Sequence, residues 1–185
     1  MAKVSKSSIP STTVRTRRAY FDCRFGQLHV RTAFPGTGGF DEQATLFCLH
    51  TMDESSRTFS RFLADIADVR SVYAPDLPGY GESDSSPARG IADAAAAISD
   101  LARELRLRQI DLMGVQYGAE VAIELAASQP ELVRRLVLAT VPAAERLGSV
   151  KQPRLVVDIA GSADPFGAGS QALAKQVNAF LSGRA

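Results

Sequence analysis

The residue that bears most directly on chemistry is Gln116, set in Gly114-Val115-Gln116-Tyr117-Gly118 just after the apolar run Ile110 to Met113. Two glycines flanking one polar residue, between a buried run and a helical pattern, predict a tight turn from a strand into a helix. The group at its centre is an amide, which donates and accepts hydrogen bonds. It has no readily deprotonated atom and cannot replace an activated hydroxyl, thiol or carboxylate in covalent catalysis. Bases are scarce, because the chain has only two histidines, His29 and His50, neither in its C-terminal third. Asp76 and Asp84 sit in a Pro/Gly-rich loop without the histidines or further carboxylates of a metal site. Both are read as loop-fixing residues, and neither a metal nor a cofactor is expected. Gly36, Gly38 and Gly39 follow a hairpin instead of opening a helix after a parallel strand, so they predict a turn and not a phosphate cradle.

The elements that must position these groups follow from periodicity. Residues 1–16 mix Ser, Thr, Lys and Pro without a period, which predicts a disordered, solvated tail ahead of one domain over 17–185. From Ala19 to Ala33 two extended runs flank Phe25-Gly26, and Leu28, Val30 and Thr32 alternate with His29 and Arg31 as in a half-buried strand. His29 is thus expected simply on a strand face. Beyond this hairpin, buried strands alternate with helices: Ala44 to Leu49, a helix through Phe59, Phe62, Leu63 and Ile66, then Ser71 to Ala74 and the loop Pro75 to Pro87. A long helix over Ile91 to Leu105 has one apolar face, which core packing explains without a membrane. Ile110 to Met113, a helix ended by Gln129-Pro130, Val133 to Ala139, Leu155 to Ile159 and a terminal helix from Leu173 to Leu181 complete the pattern. Such alternation implies a mostly parallel sheet covered on both faces.

Composition excludes more than it selects. At 185 residues the chain suits one core, and a formal net charge of +1 gives no overall attraction to nucleic acid. Cys23 and Cys48 form no spaced disulfide framework. No apolar run is long enough to span a membrane and no apolar segment follows Lys3 and Lys6, so a cytoplasmic location is expected.

The motifs carry a specific resemblance. Leu49-His50-Thr51 ends the first parallel strand, and Ala74-Pro75-Asp76-Leu77-Pro78-Gly79-Tyr80-Gly81-Glu82-Ser83-Asp84 follows the second. Asp111-Leu112-Met113-Gly114-Val115-Gln116-Tyr117-Gly118 and Leu132 to Leu138 come next. Over about residues 19–141 this order resembles the α/β-hydrolase fold superfamily. The resemblance implies an α/β three-layer sandwich with a leading antiparallel hairpin, a mostly parallel sheet, no lid domain and a shortened C-terminal part. It places Gln116 where the family has its serine nucleophile, on the G-x-S-x-G elbow. His50 matches a histidine that shapes the oxyanion loop, and the family's general base near the last helix has no counterpart. Asp164 has two matches: after a seventh strand it takes the acid's place, whereas after an eighth strand, the match that the Ala-Phe-Leu ending of a closing helix favours, that turn should carry the histidine. In neither match can Ser, His and acid be assembled.

Three functions fit these residues. The first is a pseudoenzyme that has kept the scaffold and binds a small carbonyl or carboxylate ligand, or a protein, with His50, Thr51, Gln116 and Tyr117 as the candidate binding residues. The second is non-covalent acid/base chemistry using His50, Asp164 or Tyr117. The third is a structural subunit without a ligand. A lost lid would also expose apolar surface, from which a homodimer is expected.

Overall fold

The structure, a computed structural model, describes residues 14–36, 43–85, 87, 90–139, 144–160 and 162–183. Most of the expected tail, and Gly38 and Gly39 of the expected turn, lie outside these residues; Gly36 is in a turn. Strand β1 (Arg15–Cys23) begins inside the stretch read as tail and pairs antiparallel with β2 (Gly26–Phe34). Arg15 and Thr16 are ordered there because the partner strand runs on to Phe34 and supplies backbone partners out to that point.

Five parallel strands follow: β3 (Thr45–Leu49), β4 (Val72–Pro75), β5 (Ile110–Val115), β6 (Val133–Ala139) and β7 (Arg154–Val157). The sheet runs β1-β2-β4-β3-β5-β6-β7, with β2 antiparallel to both of its neighbours. A 3-10 turn over Ser56–Phe59 leads into α1 (Ser60–Ile66), and α2 (Ile91–Glu104), α3 (Tyr117–Ser128) and α4 (Ser170–Leu181) complete the layers.

Strand alternation divides the core in two. Phe47, Leu49, Leu112, Leu136 and Leu138 meet the alanine-rich faces of α2 and α3. Leu46, Cys48, Met113, Val137 and Val157 meet α1 and α4 on the other side. The expected three-layer α/β sandwich is therefore the observed one. Between β6 and β7, residues 140–153 include a 3-10 turn over Ala144–Ser149 and are too few for a lid domain. The last strand holds the seventh place, directly beside β6, and not the eighth that the closing helix favours; that helix packs against α1.

One expectation fails on β2. Its alternation predicted polar residues facing solvent, yet His29 is buried along with Leu28 and Val30. The cause is tertiary, since the loop after β4 closes over that second face and bonds to it.

At the end of the sheet away from the strand C-termini, Asp111 is enclosed by two arginines. Arg70 Nη1 donates to Asp111 Oδ2 at 3.1 Å, and Arg134 approaches both carboxylate oxygens at 2.9 and 2.6 Å. Arg70 also donates to Asn178 on α4, while Arg134 and Arg135 donate to the carbonyls of Leu181, and Arg135 also to that of Phe180, at the helix C-terminus. Neither Arg70 nor Asp111 has an exposed side chain. Asp111→Asn is therefore expected to lower stability by about 3–5 kcal/mol, because it leaves a buried guanidinium without its counter-charge. Urea denaturation read by circular dichroism checks this, and a loss below about 1 kcal/mol would show that Arg70 finds another partner.

Candidate functional site

In an open parallel sheet the ligand crevice forms where successive strands depart in opposite directions from a common point. Here β3 leads outward to β4 on one side while β5 lies on its other side, so that point falls between β3 and β5. Leu49 pairs with Gly114, which sets the loop starting at His50 beside the turn at Gln116.

The turn has the geometry of an elbow. Gln116 has φ 46° and ψ −109°, outside the regions non-glycine residues normally occupy. Its carbonyl accepts the N–H groups of Ala119 at 2.9 Å and Glu120 at 3.2 Å, so the strained residue also caps α3. A Cβ on Gly118 would run into the carbonyl oxygens of Leu49 and His50, and one on Gly114 into the backbone of Gly118. Only glycine allows α3 to start this close to the sheet.

The side chain of Gln116 is exposed and does not plug the core. Thr51 Oγ1 donates to its Oε1 at 2.8 Å, which joins the two loops at the switch point. Tyr117 is the first residue of α3, so its N–H has no acceptor within the helix. Its half-buried hydroxyl is pushed above the ordinary phenol range by burial first, and then by Tyr80 and Asp93. It is poorly suited to serve as a base near neutral pH.

His50 is placed differently from these three. It is fully buried, its Nε2 accepts the N–H of Leu77 at 2.9 Å, and its Nδ1 lies 2.6 Å from the carbonyl of Thr51. The first bond requires an unprotonated Nε2, so the proton resides on Nδ1 and is donated to Thr51. Burial pushes the imidazole below its ordinary value, outweighing the Thr51 carbonyl and the Asp76 and Glu54 charges. His50 thus ties the end of β3 to the loop after β4, and both its nitrogens are occupied.

His29 and Asp76 form a second tie that is not apparent from their positions in the chain. Asp76 Oδ1 accepts Ser56 N–H at 2.6 Å, and its Oδ2 accepts Glu82 N–H at 2.8 Å and His29 Nδ1–H at 2.9 Å. Burial by itself would raise the Asp76 carboxyl, but the Glu82, Ser56 and His29 donors outweigh it and hold it below the ordinary value of 3.8. Asp84 accepts Gln27 N–H at 2.9 Å. Both aspartates therefore organise the loop, as residue type and setting predicted. Asp164 also makes local bonds: Oδ2 accepts Ala168 N–H at 2.9 Å and its carbonyl accepts Gly169 N–H at 3.0 Å, shaping the turn into α4. None of these bonds reaches Gln116.

A carboxyl whose folded value is depressed stabilises the fold above its unfolded value and loses that contribution as pH falls through the folded one. Asp76→Asn is therefore expected to cost about 1–3 kcal/mol at pH 7, the penalty for leaving buried donors poorly matched. The gap from wild type should close as pH drops below 3.8. Urea midpoints measured across pH check both parts, and a gap that stays constant down to pH 2 would contradict this role.

Comparison with known proteins agrees with the geometry. A family model described as the alpha/beta hydrolase fold matches residues 44–183. Over 81 residues the chain is 38% identical to a 2-hydroxymuconate semialdehyde hydrolase of Pseudomonas sp. strain CF600, covering 41% of this chain and 28% of that protein. It is 33% identical over 94 residues to an uncharacterised protein of Mycobacterium tuberculosis, covering 50% of this chain and 28% of that one. The solved carboxylesterase CesB of Bacillus subtilis superposes with a TM-score of 0.60 at 26% identity, over 68% of this chain and 43% of the esterase. The matches thus span less than half the length of these relatives. With the fold, the elbow and a family match over most of its length in agreement, the chain belongs to the α/β hydrolase fold family.

Proposed function

We propose that this chain uses the family's elbow as a binding site for a carbonyl or carboxylate oxygen and does not carry out serine-hydrolase chemistry. The observation that carries this reading is the bond from Thr51 to Gln116 Oε1. With its oxygen engaged by Thr51, the amide has N–H groups left to offer, and the N–H of Tyr117 lies next in the chain. A site rich in donors suits an acceptor oxygen on the ligand. Met52, one residue past Thr51, is 52% exposed and supplies an apolar contact for the remainder of such a molecule.

The covalent route lacks support at each position within this chain. Gln116 offers no nucleophile. Both nitrogens of His50 are bonded, His29 is buried against Asp76, and Asp164 is held by its own turn. The same bonds weigh against non-covalent acid/base chemistry through His50 or Asp164.

A serine-directed fluorophosphonate is expected to leave the chain unlabelled, and short p-nitrophenyl esters should turn over no faster than background. Gln116→Ser alone should not confer turnover, since no base accompanies it. Titration with short-chain carboxylates, followed by amide chemical shifts, should move Thr51, Gln116 and Tyr117, and Thr51→Val should weaken the response. Covalent labelling at an elbow residue would refute the proposal.

A further inference from the structure

A second site lies away from the elbow, between the leading hairpin and α1. Strand alternation sends Leu28 and Val30 toward α2 and α3, and hence Arg31 and Ala33 toward α1. The register places Arg18 directly opposite Arg31 and Thr16 opposite Ala33, so the two arginines share the α1 face. With Ser60 and Leu63 of α1 they line an open cleft of about 380 Å³, to which Arg17 also contributes.

Like charges directly opposite on paired strands repel. Among the described residues, no ion pair joins Arg17, Arg18 or Arg31 to a carboxylate. Glu82 feels the positive charge of Arg18, but it is already bonded to Arg57 at 2.8 Å. The Nε of Arg31 is buried and has no hydrogen-bond partner. Buried donors in folded proteins are almost always satisfied, so an unpaired guanidinium N–H beside a second unpaired arginine indicates an absent acceptor.

We propose that this cleft binds a phosphate group, held between Arg18 and Arg31 from the two facing strands. Charge and donor count select that chemistry. A carboxylate brings one negative charge and two oxygens, enough for one guanidinium fork, whereas a phosphate dianion has the charge and oxygens to engage both. Thr16 lines the same cleft.

The test is a titration of the full chain with inorganic phosphate at constant ionic strength, with chloride and acetate as matched controls, read by amide and arginine side-chain NMR signals. Saturable shifts are expected at Thr16, Arg18, Arg31 and Ser60 with phosphate, and weaker or non-saturating ones with acetate. Arg18→Gln, on the outer strand, and Arg31→Gln should each weaken binding about tenfold or more. Unchanged signals at Gln116 and Tyr117 will show that the variants remain folded, and they separate this site from the elbow. Absence of saturable shifts, acetate binding as tight as phosphate, or phosphate affinity unaffected in a folded Arg18→Gln variant would each overturn the proposal.

Discussion

The backbones of α3 and of the ends of β3 and β5 meet without room for a side chain, and much else follows from this. At Gly114 and Gly118 there is no volume for a single extra carbon, because the carbonyls of Leu49 and His50 and the first turn of α3 already fill it. A chain that must turn from strand to helix in so little space cannot keep all its residues in relaxed conformations. The strain falls on Gln116, at φ 46°. Strain of this kind persists only where the surroundings overdetermine it, and here they do so through the caps on Ala119 and Glu120, the N–H of Gln116 donated to Ala139, and the side-chain bond from Thr51.

The loop after β4 forms the other wall of this region and is held by a different device. Instead of close packing, it relies on a few buried polar groups whose bonds are nearly all satisfied. Asp76 gathers donors from three separate segments, and His50 bridges a fourth. In a low-dielectric interior such bonds are directional and costly to break, so the loop keeps one shape although it contains little regular structure. Both histidines of the chain are used in this way.

Elements with a clean period are legible in the sequence. The alternation of Leu28 and Val30, the alanine face of α2 and the glycines around Gln116 each depend on neighbours within a few residues, and local pattern captures these. What could not be read depends on residues distant in the chain. Nothing near His29 signals Asp76, forty-seven positions away, and a polar residue alternating with Leu28 and Val30 has the pattern of an exposed position. The place of Thr51 beside His50 marks it in the sequence, but its bond to Gln116 needs the register between β3 and β5. Likewise, the partnership of Arg18 and Arg31 emerges only once the hairpin register is known. The place of β7 in the sheet is ambiguous in the sequence because Leu155 to Asp164, a short strand and its turn, match more than one slot.

The arginine clasp on α4 has a consequence for how the chain folds. The bonds that hold the helix C-terminus come from Arg70, Arg134 and Arg135, residues 45 to 108 positions earlier in the chain. Asp111, the anchor of Arg70 and Arg134, is in position only after β5 has joined the sheet. Helix α4 therefore gains its full stabilisation only after the central strands are registered, and it gives that stability back to the face of α1 it covers. Such long-range dependence makes for slow assembly and a late final step. It also joins the last helix to the sheet as one cooperative unit, so that amide protons in α4 and in β5 should exchange through the same opening of the molecule.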